Sequence, residues 1–269
     1  MKNNVVQALK DVREKSPLVH QITNYVTVND CANITLAIGA SPVMADDINE
    51  VEDMVSIASA LVINIGTLNS NTVKSMIAAG KKANELGVPV VLDPVGVGAT
   101  PFRNKVGAEL IKEVKFSVIR GNLSEIKSLY GADVKTKGVD SLEESSLNEV
   151  GLAKEIAQKW GTVIAITGAK DIITDGERVA IVENGHKIMS KVTGTGCMCT
   201  ALTGAFAGVC EDAFTAALAG VVSMGIAGEK ANERLGENEG TGKLRSNIID
   251  EIYNLSPEVI LERGKVDEK

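Results

Sequence analysis

Residues 191–204 read KVTGTGCMCTALTG, placing threonines, two closely spaced glycines and two cysteines where a strand is expected to hand over to a buried helix. Gly194 and Gly196 let successive backbone amides converge, and the helix that follows points its positive end at the same spot. Two readings fit: a cradle for an anion, or a tight strand-to-helix turn that holds nothing. Cys197 heads the helix and is the reactive group this run offers. A cysteine–histidine dyad would need His20 or His186 beside it, and nothing in the sequence brings either there. Zinc is disfavoured as well, because the chain has two histidines and because Cys197 and Cys199 point to different sides of a helix.

Other polar groups stand at the ends of apolar runs. Asp93 closes VVLD before Pro94, and it either caps a turn or holds magnesium through water, since Mg²⁺ keeps several waters and needs few direct carboxylates. Asn122-Leu123-Ser124-Glu125 reads by itself as a capping box, with Asn122 at the N-cap and Glu125 reaching back. Arg120 just before it adds a second reading, because a guanidinium beside a carboxylate also suits phosphate and hydrated Mg²⁺. Met44, in GASPVMADD, is by its type a core residue on a short strand. The familiar nucleotide fingerprints fail: GVGATP has Pro101 and GTGCMC has Cys199 where a dinucleotide loop needs its third glycine. Gly242-Lys243 is followed by Leu244 rather than Ser or Thr, so it closes no Walker loop.

These groups need a scaffold, and the chain describes one. ALVINIG (60–66), PVVLDPVG (89–96), FSVIRGN (116–122) and TVIAITG (162–168) alternate with helical patterns such as SNTVKSMIAAGKKANELG, which stops at Gly87 and Pro89. That rhythm predicts a mostly parallel sheet with helices on both faces. Polar residues gather at the carboxyl ends of the strands, where open α/β sheets bind ligands. Residues 171–192 change to strand alternation around Asp175-Gly176 and Asn184-Gly185, both hairpin signals, which predicts an antiparallel extension. CMCTALTGAFAGVC and AFTAALAGVVSMGIAGEKA predict two helices packed very close. The end of the chain, about 256–269, is a polar tail whose last residues, GKVDEK, are expected to fray. No repeat or linker divides residues 1–269, so one domain is expected.

Bulk properties narrow the partners. With 28 basic against 35 acidic residues, net charge −7 and 3% aromatics, the 269-residue chain repels polyphosphate backbones and anionic membranes and lacks base-stacking platforms. Neither nucleic acid nor membrane is expected as a partner. MKNNVVQALKDVREKS has no signal-peptide core, no apolar run reaches spanning length, and the four cysteines form no disulfide framework, so a cytoplasmic protein is expected.

Taken in order along nearly the whole chain, HQITNYVTVNDCANITLAIGASPVMAD, DPVGVGAT, RGNLSE, AITGAKD and VTGTGCMCTALTGAF closely resemble the hydroxyethylthiazole kinases of the ribokinase-like superfamily. The resemblance implies a three-layer α/β/α fold, a homotrimer with sites between subunits, and Mg²⁺-dependent transfer of phosphate from ATP to the hydroxyl of 4-methyl-5-(2-hydroxyethyl)thiazole. It implies Asn122 and Glu125 as an Asn-x-x-Glu element organising phosphate and magnesium, and Asp93, on the residue reading above, is the second magnesium candidate. Arg120 and Thr167 then fall on the ATP side and Met44 and Gly194 on the thiazole side, while Gly196, as part of the anion cradle of Thr193–Gly196, would hold the migrating phosphoryl group of ATP. Asn24 follows by the same analogy as a further substrate contact. Cys197 stands where sugar kinases of this fold carry an aspartate base. The resemblance leaves two rivals: a ribokinase-like enzyme acting on a hydroxymethylpyrimidine or on hydrated NADH, and a sensor of nucleotide or thiazole that does not turn over.

Overall fold

Ala60–Asn64, Val90–Asp93, Val118–Asn122 and Val163–Thr167 lie side by side and parallel, as the alternation of apolar runs and helical patterns predicts. The computed structural model describes residues 1–136 and 149–269. Along the chain its first half contains α1 (Lys2–Lys15), β1 (Leu18–Ile22), α2 (Val28–Ile38), β2 (Ser41–Val43), α3 (Val51–Ile57), β3 (Ala60–Asn64), α4 (Ser70–Leu86), β4 (Val90–Asp93), α5 (Pro101–Glu113) and β5 (Val118–Asn122). There follow α6 (Leu123–Thr136), α7 (Glu149–Trp160), β6 (Val163–Thr167), β7 (Asp171–Thr174), β8 (Val179–Val182), a 3-10 segment (Lys187–Lys191), α8 (Thr195–Ala207), α9 (Ala213–Glu233), α10 (Thr241–Tyr253), α11 (Pro257–Arg263) and β9 (Val266–Glu268).

The strands form a sheet in the order β2-β1-β3-β4-β5-β6-β7-β8-β9. Pairing is parallel from β2 through β6 and antiparallel from β6 to β9, so the sheet is mostly parallel with an antiparallel edge. Both faces are covered, and strand residues alternate between them. Val62, Val91 and Val118 join a core under α1, α2 and α8–α11, while Leu61, Ile63, Leu92 and Ile119 join one under α3–α7. This is the three-layer α/β/α arrangement expected. Each fully buried Leu, Ile or Phe contributes roughly 1.5–3 kcal/mol, which is why the uninterrupted apolar strands sit in the middle layer.

Local signals set the helix ends that matter for the site. Asn69 caps α4 in a reciprocal box with Thr72, and Gly87 ends it in the left-handed region (φ 72°). Thr100 caps α5 with Pro101 in its first turn. The Ala- and Gly-rich α8 and α9 do pack closely: a Cβ on Gly220 would strike Thr203, and one on Gly204 would strike Val62.

Three expectations at the C-terminal half are corrected. Asp175-Gly176 does turn the β7–β8 hairpin, but Asn184-Gly185 turns none. The Asn184 amide instead donates to the Arg263 carbonyl (2.8 Å) and accepts from the Lys265 N–H (2.7 Å), which seats β9 against β8 where a next hairpin strand would go. In consequence a 3-10 segment, not a strand, leads into the Thr193–Gly196 turn. The last residues are likewise ordered, pairing as β9 with β8 rather than frayed.

Candidate active site

The sheet order reverses beside β1, with β2 on one side of it and β3 on the other, so the crevice for ligands opens at the carboxyl ends of these strands. Asn24 follows β1, Asn64 ends β3, Asp93 ends β4, Arg120 lies on β5 and Thr167 ends β6. The N-terminus of α8 lies over them. It starts without a side-chain cap, so its first amides are left for another acceptor.

Gly194 holds φ 85°, and a Cβ there would collide with Thr27, so the turn requires glycine twice over. A Cβ on Gly196 would stand 2.7 Å from Arg120 Nη1, which shows how tightly the guanidinium packs against the head of α8. Arg120 donates through Nη2 to Thr167 Oγ1 and stands 4.0 Å from Asp93 Oδ1, an ion pair without a hydrogen bond. Asp93 is buried. Its Oδ2 accepts from Asn64 Nδ2 and Thr200 Oγ1, both at 2.8 Å, while Oδ1 accepts no hydrogen bond. Burial pushes this carboxyl up to about 6, against the opposing pull of Arg120 and the Thr200 hydroxyl.

A second line of hydrogen bonds runs from Asp93 to the thiol. Asn64 Oδ1 accepts from Asn24 Nδ2 (2.9 Å) and from the Gly66 N–H (2.9 Å). Asn24 Nδ2 also donates to Cys197 Sγ (3.3 Å), and its Oδ1 accepts from the Thr27 N–H and hydroxyl, each at 3.1 Å. Burial raises the Cys197 thiol above the usual range and nearby Asp93 adds to this, partly offset by hydrogen bonds from Thr27, Asn24 and Asn64. Cys199, two residues on, faces Arg120 from full burial and is pushed up to about 11.

The capping box at the start of α6 is formed. Glu125 N–H donates to Asn122 Oδ1 and Asn122 N–H to Glu125 Oε2, both at 2.9 Å, while Glu125 Oε1 accepts from the Gly96 N–H (3.0 Å). Glu125 therefore ties the DPVGVG loop to α6. Among the described residues no group of three His, Cys, Asp or Glu side chains converges to hold a metal ion. The donor set still fits Mg²⁺, which needs one or two carboxylates alongside substrate phosphates and water: Asp93 offers an oxygen that accepts no hydrogen bond and Glu125 a second carboxylate next to Arg120's strand.

Two hollows flank this line. A cleft of about 730 Å³ is lined by Arg120, Asn122, Thr167, Thr195, Gly196 and Cys199, among others. A smaller one of about 150 Å³ is lined by Gln21, Thr23, Tyr25, Met44 and Thr67, among others. The residues expected on the ATP side thus share the larger cleft, and Met44 borders the smaller one; Gly194 abuts Thr27, which holds Asn24. Sequence reading missed Asn64, Thr200, Thr27 and Asp171, which also lines the larger cleft. Asn64 ends a strand beside Gly66-Thr67, and Thr200 follows Cys197 by three residues on α8, so the signals existed but were single polar residues.

Fold and clefts together define a three-layer α/β/α protein with a small-molecule site at the carboxyl ends of its parallel strands. The Hydroxyethylthiazole kinase family pattern matches residues 9–258, and the chain belongs to that family. The hydroxyethylthiazole kinase of Alkaliphilus oremlandii is 55% identical over 100% of this chain and 99% of its own length, and that of Clostridium tetani 58% identical over 97% of each. The solved hydroxyethylthiazole kinase of Pyrococcus horikoshii superposes with TM-score 0.89 at 43% identity, covering 100% of both chains. The pyridoxal kinase from Staphylococcus aureus, at TM-score 0.61 and 15% identity over 94% of this chain and 97% of its own, shares the fold.

Proposed function

We propose that the chain, as one kinase domain over residues 1–269, transfers the γ-phosphoryl group of ATP to the hydroxyl of 4-methyl-5-(2-hydroxyethyl)thiazole in thiamine salvage. The observation that carries this reading is the head of α8. One uncapped helix start presents Thr195 and Gly196 to the Arg120 cleft, while Cys197 turns to Asn24.

Phosphoryl transfer demands mostly alignment and charge neutralisation, because its transition state is loose. Arg120, held by Thr167, offsets charge on the phosphates, and the free amides of α8 receive the migrating group. Magnesium, when bound, would be held by Asp93 and Glu125 through water and would neutralise the phosphates. Cys197 faces the acceptor hydroxyl as proton acceptor or positioning group, with Met44, Gly194 and Asn24 around the acceptor. Coupled assay of ADP release tests the reading: thiazole-dependent ADP is expected, and ADP formed only with a pyrimidine alcohol, or with no acceptor at all, rejects it.

We further read the enzyme as a homotrimer whose neighbours complete each site. Exposed Tyr25, which lines the Met44 hollow, supports this, as do exposed Val26, Leu36 and Ile57. Sedimentation velocity is expected to give a trimer; a fully active monomer rejects it. Four free cysteines suit a reducing compartment, so we place the enzyme in the cytoplasm.

A further inference from the structure

We propose that Asn64 is a positioning residue for the acceptor side of the site: pinned by the Gly66 N–H, its amide turns Asn24 so that an N–H faces the Cys197 sulfur. The assignment rests on donors whose direction admits no choice. A backbone N–H only donates, so the Asn64 atom 2.9 Å from the Gly66 nitrogen is the amide oxygen, and Nδ2 is left to face Asp93. That oxygen accepts from Asn24 as well, which makes the meeting atom Asn24 Nδ2. The Thr27 N–H, 3.1 Å from the other Asn24 side-chain atom, independently requires that atom to be Oδ1. Two backbone amides from separate loops therefore agree on one orientation, and it leaves the second Asn24 N–H aimed at Sγ, 3.3 Å away.

Packing holds the arrangement. Asn24 and Asn64 are both almost fully buried, and a Cβ on Gly66 would stand 2.9 Å from three side-chain atoms of Asn24, so the Asn24 amide lies flat against the Gly66 backbone. Neither residue lines the larger cleft.

The chemical consequence concerns the thiol. An N–H on sulfur favours thiolate over thiol, against burial and against Asp93, which faces the sulfur from β4; Cys31 faces it from α2. On the reading that Cys197 meets the acceptor hydroxyl, the O–H bond and the bond from γ-phosphorus to ADP oxygen break while O–P and S–H bonds form, converting thiolate to thiol. Asn64 touches neither reactant; it acts on the sulfur chiefly by orienting Asn24, its own amide adding a smaller pull in the same direction.

Labelling of Cys197 by iodoacetamide in the free enzyme, followed by peptide mass spectrometry across pH, tests this without an acceptor. In Asn64→Leu the midpoint for Cys197 is expected to rise by about one pH unit, with about tenfold slower labelling below it, because rate follows the thiolate fraction. In steady-state assays kcat should fall while KM for ATP stays within about twofold. An unchanged labelling profile overturns the proposal. Should Asn64→Leu not fold, Asn24→Leu removes the same donor and must show the same rise; no rise there also overturns it. If the wild type shows no thiazole-dependent turnover, the proposed function fails while the labelling result still decides the role of Asn64.

Discussion

Asp93 concentrates the residue-scale chemistry. It is a buried carboxyl with one oxygen doubly bonded by Asn64 and Thr200 and the other facing Arg120 without a hydrogen bond. Thr200 is itself fully buried, so Thr200→Val keeps the shape and removes one donor from a buried acid. Loss of a hydrogen bond to a charged group costs about 1.5–3 kcal/mol, and urea unfolding of the variant should show that loss; a difference below about 0.5 kcal/mol would mean Asp93 does not depend on Thr200. Cys197 is set differently. Its thiol is raised by burial, so at neutral pH it should react with alkylating agents more slowly than a free cysteine, whose pKa is about 8.5.

At the scale of elements, the head of α8 and the start of β1 carry the site. Gly196→Ala would put a methyl against Arg120 Nη1 and push the guanidinium away from Thr167. A displacement costing about 1.4 kcal/mol lowers kcat/KM for ATP about tenfold, and steady-state kinetics should show at least that, with thermal stability changed much less. On β1, buried His20 donates through Nε2 to the Ala45 carbonyl (2.7 Å), linking the strand to the chain beyond β2. Burial lowers the His20 pKa, so the folded state prefers the neutral ring. The unfolded ring titrates near about 6.5. Its contribution is therefore complete above that value and is lost as pH falls below it toward the folded pKa. His20→Gln keeps an amide donor for Ala45 but cannot titrate, and its denaturation midpoint should vary less between about pH 7 and 5 than that of the wild type.

For the whole molecule, the antiparallel edge closes the sheet with the last residues of the chain. β9 covers β8 and is tied to Asn184, while Lys265 pairs with Glu229 of α9 at 2.9 Å. Truncation after Gly264 would bare the β8 edge, whose residues are all buried, leaving a template for other chains. The truncated protein is expected to melt at lower temperature and to scatter light on warming; unchanged melting and clear solution would show that β9 is dispensable.

The sequence by itself determined the parallel core, its helices on both faces and the residues at the strand ends, because period, apolar runs and glycine or proline stops act over a few neighbours. It also carried the family, since its distinctive stretches run in order along the chain. Other features were left to the tertiary structure. Asn184-Gly185 looks like a hairpin until residues 263–268 arrive to take its hydrogen bonds, and the end of the chain looks frayed until β8 offers it an edge. Asn122 and Glu125 looked like a cap or a phosphate element; folding formed the cap and set it on the strand that bears Arg120. Asn24, Asn64, Asp93 and Cys197 are separated by dozens of residues, and only the seating of β3 between β1 and β4, with α8 over their ends, brings their short polar side chains within hydrogen-bonding distance. Such pairings carry no local signature, because they depend on which strand ends up beside which.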